Sequence, residues 1–296
     1  MTISSVALIG LGEVGQILAV DLNEARVSDV AAYDILFGDP NSIPSKARTP
    51  AKKAATIAEA VASRELVISA VTAVSDLAAA ERAAPYLQSG AFYLDLNSVS
   101  PHQKQSAAKI VNDAGGRYVE AAVMTPFPPK RIASPMLLGG PHGAAFLDAA
   151  AGLGFSAKVF SERYGAASAT KMCRSVMIKG IEALLAESLL SARYYGVETT
   201  VINSLSDLLP VGDWERLAKY MISRSLEHGK RRAEEMREVA LTVAEAGISP
   251  LMSEASAERQ DWAAQFSSAL RGETSDLSSV LDAILAMQER DKKASK

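Results

Sequence analysis

A doubly wound, mostly parallel α/β sheet followed by an all-α region is the fold class that this sequence predicts, on three observations. Short apolar runs alternate with helical patterns through the first half of the chain. A glycine-rich turn joins the first run to the first helix. Past Ala157-Lys158-Val159-Phe160 the strand patterns stop and helical ones fill the remainder. A length of 296 residues is too long for one ordinary core and suits two domains, so the expected division is 1–162 and 163–296.

The elements follow in order. Val6-Ala7-Leu8-Ile9 reads as a buried strand, Gln16 to Glu24 as a helix and Val30-Ala31-Ala32-Tyr33 as the second strand. Phe37 to Pro44 has loop composition, and Pro50 marks the next boundary. Helix–strand pairs then repeat: Thr56 to Ser63 with Leu66 to Val71, and Ser75 to Ala84 with Phe92 to Leu96. Pro101 to Ala114 is the next helix, stopped by Gly115-Gly116 and followed by a strand over Tyr118 to Val123. A strand at Met136 to Leu138 and a helix from Gly143 to Leu153 complete the series. In the second half the longest helix is expected over Ala166 to Tyr195. Further helices are expected over Asp213 to Ser225, Glu227 to Ala246, Ser253 to Leu270 and Leu277 to Arg290. Pro210 and Gly247 to Pro250 act as breaks, and Lys292 to Lys296 form a frayed tail.

Gly10-Leu11-Gly12-Glu13-Val14-Gly15 carries chemistry because of its context, between a buried strand and a helix start, with Asp34 closing the second strand. Gly10 permits the tight turn, Gly12 the close approach of a pyrophosphate, and Gly15 close packing of helix on strand. The unpaired N–H groups and positive dipole end of the helix face an anion, and the Asp34 carboxylate accepts from both hydroxyls of an adenosine ribose. A Rossmann-type domain binding NAD is therefore expected. The acid repels a 2′-phosphate, while Lys46 and Arg48 keep NADP open.

Composition excludes other partners. A formal charge of −3 without long basic runs leaves no footprint for nucleic acid or an anionic membrane. Hydrophobic residues at 48% supply sizeable cores, yet no apolar stretch reaches the roughly eighteen residues of a membrane span. Cys173 is the single cysteine, so a reducing, cytoplasmic setting and a small-molecule substrate are expected, with no metal site.

On the long helix, Lys171, Arg174, Ser175, Ile178, Lys179 and Glu182 share one face, read as polar. Met172, Cys173, Val176, Gly180, Ala183 and Leu184 share another, read as core. Lys171 falls in the first two turns, where a lysine near a cleft acts as general acid and base. On spacing alone, the alternative is a solvated helix face. His228, Arg231 and Arg232 lie at i, i+3 and i+4 and present either an anion site or, with Glu234, Glu235 and Glu238, a solvated face of ion pairs.

Several segments, in order and spacing, resemble the β-hydroxyacid dehydrogenases, relatives of 6-phosphogluconate dehydrogenase. They are Gly10 to Gly15, Asp95-Leu96-Asn97-Ser98, Glu120-Ala121-Ala122-Val123, Gly139-Gly140 and Gly165 to Lys171. The resemblance covers most of the chain and weakens beyond about residue 200, where a divergent helical C-terminal domain follows. It implies an NAD(P)-dependent oxidoreductase acting on the CH–OH group of a β-hydroxyacid or sugar-acid-like substrate, with Lys171 at the catalytic position. It further implies that Val71 and Thr72 lie near the nicotinamide, that Asn97 and Ser98 lie beside the cofactor, and that Met124, Thr125 and Pro126 stand at the substrate. The family asparagine four residues after the lysine is Ser175 here, preceded by Arg174, and the later lysine–aspartate pair gives way near Glu234 and Glu235. A homodimer through the helical domain is expected, supported by Leu184, Leu185, Leu189 and Leu190. An imine reductase and a non-catalytic dinucleotide-binding protein remain the alternatives, and Lys171 discriminates between them.

Overall fold

The computed structural model describes residues 3–205, 211–271 and 276–294, so the break expected at Pro210 lies outside the described residues. The chain forms two compact units, one ending at Met172 and the other starting at Cys173.

The first unit is built on one sheet in the order β3-β2-β1-β4-β5-β6-β7-β8. The strands are β1 (Ser5–Ile9), β2 (Asp29–Tyr33), β3 (Lys52–Lys53), β4 (Leu66–Ser69), β5 (Phe92–Asp95), β6 (Arg117–Val123), β7 (Met136–Gly139) and β8 (Ala157–Ser161). The helices are α1 (Glu13–Glu24), α2 (Ile43–Lys46), α3 (Ile57–Val61), α4 (Asp76–Ala83), α5 (Pro101–Asp113) and α6 (Gly143–Ala149). The central strands are mostly apolar because both faces are covered, with Ser69, Asp95 and Glu120 the buried polar exceptions. Val6, Leu8, Ile68 and Leu94 enter the core on one side. Their neighbours Ala7, Ile9, Val67 and Tyr93 enter the core on the other. Pairing is parallel except between β6 and β7, where Glu120 stands opposite Gly139.

Differences from the sequence reading have local causes. Helix α1 begins at Glu13 rather than Gln16, because Gly12 already serves as the extended N-cap. The expected loop after Asp34 contains a 3₁₀ turn, Ile35–Gly38, and the short α2, whose N-terminus is capped by the Ser42 hydroxyl. Strand β4 stops at Ser69, since the Val71 N–H is taken by the Asn97 side chain.

Helix α7 (Ala166–Tyr194) starts in the first unit and continues into the second, which adds α8 (Glu198–Leu205), α9 (Trp214–Glu245), α10 (Leu251–Ala264) and α11 (Leu277–Ala294). Two expected helices are the single α9. Leu226 is 1% exposed at the supposed break, and the Ser225 hydroxyl donates to the Met221 carbonyl within the helix. Gly229 sits inside α9 because a Cβ there would meet the Gln260 carbonyl of α10. The expected helix over Ser253 to Leu270 is α10 followed by a 3₁₀ turn, Ser267–Arg271. Part of the expected tail, through Ala294, continues α11.

The faces of α7 are exchanged in part: Met172 is buried and Arg174 exposed as expected, but further along the helix the polar face turns inward. Ser175, Lys179 and Glu182 are buried, whereas Cys173 is exposed and Leu184 is 59% exposed. Pairing makes this tolerable: Lys179 meets Glu235 at 2.8 Å, Arg232 bonds Glu182, and the Gln260 amide donates to Glu182 at 3.2 Å. Leu185, Leu189 and Leu190 are consumed by the unit's own core with Trp214, Ile222 and Phe266, so of the four leucines only Leu184 stays outside.

Candidate dinucleotide and proton-transfer site

The glycine-rich turn connects β1 to α1. Gly10 has φ +94°, and a Cβ there would strike the Ala70 carbonyl, just as one on Gly15 would strike the Gly10 carbonyl. Gly12 differs: a Cβ there meets nothing within 4 Å. It borders open space at the N-terminus of α1, which no side chain caps. Glu13 is exposed in that first turn, and Val14 packs on the core. The turn is tied to β2, with the Gly10 N–H donating to the Tyr33 carbonyl and the Leu11 N–H to Asp34 Oδ2, both at 2.8 Å. Asp34 Oδ1 accepts from the Leu36 N–H at 2.9 Å. Uncapped amides beside a glycine whose side-chain volume is free fit a pyrophosphate, and an acid at the end of β2 fits an adenosine ribose.

The loop after β4 is held from beneath. The Asn97 carbonyl oxygen accepts from the Val71 N–H at 2.7 Å, and its amide donates to Ser69 Oγ at 2.9 Å and Asp76 Oδ1 at 2.6 Å. Asn97, 5% exposed, thus spends its side chain on shaping the Val71–Thr72 loop. Thr72 bonds Ser75 across the turn. Deeper lies an ionic network. Asp95 and Lys104 pair at 2.8 Å with at most 1% exposure, and the Tyr118 hydroxyl donates to Asp95 at 2.6 Å. Burial, then the neighbouring Asp95, pushes Asp76 up to about 7, and burial raises Tyr118 as well.

The Lys171 amino group lies 2.5 Å from the hydroxyl of Ser98, the residue after Asn97. The first turn of α7 is pinned twice: Ser168 Oγ donates to the Val99 carbonyl, and the Glu120 carboxylate accepts the Gly165 and Ser168 N–H groups. Sequence reading missed Asp76, Lys104, Tyr118 and Ser168. A usable signal was Lys104, which falls in register with buried Ala107, Ala108 and Val111, where helical periodicity demands an apolar side chain.

The remaining candidates disperse. Met124 follows β6 and packs against Ala122, Leu137 and Ala167, while Thr125 and Pro126 are exposed in the loop beyond. In the helical unit Arg174 is exposed, and buried Ser175 accepts from Lys179 at 3.4 Å. Arg231 is engaged with Glu235 one turn on at 2.8 Å. His228 lies 3.4 Å from Glu227, its pKa lowered by partial burial. Among the described residues no group of three or more His, Cys, Asp or Glu side chains could hold a metal ion, and no helix is long and apolar enough to cross a membrane.

A glycine turn, an acid at the end of β2 and a helical unit entered through one long helix define a nicotinamide-dinucleotide-binding protein of the dehydrogenase type. Comparison bears this out. Residues 5–144 match the NAD binding domain of 6-phosphogluconate dehydrogenase, and residues 192–263 match a domain of unknown function, DUF1932. A conserved hypothetical protein from Sinorhizobium meliloti is 34% identical, with a TM-score of 0.74 over 95% of this chain and 96% of its own. The conserved protein MTH1747, described as structurally similar to 3-hydroxyacid dehydrogenases, is 30% identical, with a TM-score of 0.67 over 88% and 97%. Mycobacterium tuberculosis 3-hydroxyisobutyrate dehydrogenase, solved with L-serine, shares the fold at 18% identity and a TM-score of 0.70 over 96% and 99%. The Aspergillus terreus reductive aminase, solved with NADPH, shares it more loosely, at 19% identity and a TM-score of 0.53 over 95% and 99%. The chain belongs to the 3-hydroxyacid dehydrogenase-like family, with a 6-phosphogluconate-dehydrogenase-type NAD-binding domain and a DUF1932 region.

Proposed function

We propose that this protein oxidises the CH–OH group of a small β-hydroxyacid or sugar-acid-like substrate, or reduces the corresponding carbonyl, with Lys171 as the proton-transfer group. The observation that carries the reading is the Lys171 amino group held beside Ser98 Oγ, one residue beyond the Asn97 that shapes the Val71–Thr72 loop. Bound nicotinamide supplies hydride transfer. The chain's own part is to take the hydroxyl proton as hydride leaves the same carbon, because an alkoxide formed early is costly. Ser98 and Thr125 are the polar groups of the first unit proposed to orient substrate, while Asn97 is proposed to act on the cofactor through the Val71–Thr72 loop that it holds.

NAD is preferred over NADP in this reading, supported by Asp34 where a 2′-phosphate would have to sit. Assembly as a homodimer through the helical unit rests on exposed Met177 and Leu184, one heptad apart, and light scattering of a monomer at micromolar concentration would reject it.

A screen of hydroxyacids and sugar acids, followed by NADH absorbance, identifies the substrate. On it, Lys171→Ala should lower kcat by about 10² to 10⁴ with dinucleotide affinity unchanged. Retention of more than about a third of wild-type kcat would sink the lysine's role. Imine reduction, or dinucleotide binding without catalysis, would then be the better reading.

A further inference from the structure

We propose that Glu120 is the positioning residue for Lys171: from strand β6 its carboxylate caps the first turn of α7 and thereby sets the lysine amino group beside Ser98. The inference rests on the reading of Lys171 as the proton-transfer group.

A helix start needs partners for its first N–H groups, ordinarily supplied by the N-cap side chain and by the residue three positions on. Helix α7 has neither. Its N-cap is Gly165, held at φ +89° against Pro101, and the hydroxyl of Ser168 is diverted to the Val99 carbonyl. Glu120 replaces both from another element. One carboxylate oxygen accepts the Gly165 N–H and the other the Ser168 N–H, each at 2.6 Å.

The arrangement is specific to this side chain. Glu120 is fully buried, a costly place for a carboxylate unless its oxygens are satisfied. Burial raises its pKa, opposed first by Lys104 and then by the two N–H groups. Room comes from the facing strand, since a Cβ on Gly139 would strike the Glu120 carboxylate. Lys171 lies three residues beyond Ser168, so both project from one helix face. They touch consecutive residues, Val99 through Ser168 and Ser98 through Lys171. Any rotation of the first turn moves both contacts together.

The test combines Glu120→Gln with Gly139→Ala, which displaces the same carboxylate by a different route. In the free protein, modification of Lys171 by an amine-reactive anhydride, read by mass spectrometry, should change rate in both variants. Amide exchange at Gly165 and Ser168 should accelerate while nicotinamide-dinucleotide affinity stays at the wild-type level. On the screened substrate kcat should fall about 10- to 100-fold at nearly constant KM. The double variant Glu120→Gln/Lys171→Ala should be no worse than Lys171→Ala alone. Additive losses, or an unchanged Lys171 modification rate, would overturn the positioning role and leave Glu120 a structural residue. Should Glu120→Gln not fold, Gly139→Ala is read by the same criteria. If Lys171→Ala itself keeps its activity, the functional reading fails, and the modification and exchange rates still decide whether Glu120 places the lysine.

Discussion

Two helices of the first unit begin in opposite ways. Helix α1 starts at Gly12 with no capping side chain and free volume where a Cβ would project. Helix α7 starts at Gly165 with a buried carboxylate across its first amides. The physical need is the same at both ends. Where the protein meets it from within, the helix becomes a fixed point for a side chain; where it does not, the amides are available to an external anion. Mutations at the two ends should therefore separate binding from turnover.

The largest effect is expected at the open end. Gly12→Ala puts a methyl group into space that is free in the protein alone, so unfolding by urea should hardly change. Calorimetric dinucleotide affinity should fall on the order of 10- to 100-fold. Gly15→Ala provides the contrast, because its Cβ meets the Gly10 carbonyl. It should destabilise the fold by about 1–3 kcal/mol. A Gly12→Ala variant that binds like wild type would end the comparison.

Next is Asp34, which touches the same turn through the Leu11 N–H. Asp34→Ala should weaken NADH by roughly tenfold, the scale of a charge-assisted hydrogen bond, and NADPH by less. Tighter NADPH than NADH binding by the wild type would overturn the NAD assignment.

A further effect is expected beneath the Val71–Thr72 loop, where buried Asp76 accepts from the Asn97 amide. Asp76 is raised in the fold to about 7 from an ordinary value of 3.8, by burial and then Asp95. Its contribution to stability is therefore complete below the unfolded value and is lost as pH rises through the folded one. Asp76→Asn should gain on the wild type by on the order of 1–3 kcal/mol between about pH 5 and pH 8. Parallel stability curves would show that Asp76 ionises freely.

What was legible in the sequence follows from how locally each feature is encoded. The strands showed because β1, β4 and β5 are buried on both faces and hence apolar except at Ser5, Ser69 and Asp95. The glycine turn showed because backbone sterics admit few other residues at Gly10 and Gly15. Periodicity misjudged part of α7 because Lys179 and Glu182 are buried through partners on α9 and α10, distant in sequence. Glu120 was visible only as part of a resemblance. Its role depends on residues 45 and 48 positions away, a relation that no window of residues displays.

The reversal of β7 turns strand register into an instruction for the placement of Lys171. Because β7 runs against β6, Gly139 comes to lie opposite Glu120, and β8, parallel to β7, reaches its last residue, Ser161, beside Gly139. The chain then has three residues, 162–164, before the Gly165 N–H must meet that carboxylate. A slip of one residue between β6 and β7 would place Leu138 opposite Glu120 and send alternate side chains to the wrong face. The address of Lys171 is thus written in a strand pairing about fifty residues upstream. Insertions in the turn between β6 and β7 are tolerable only if they leave that pairing in register.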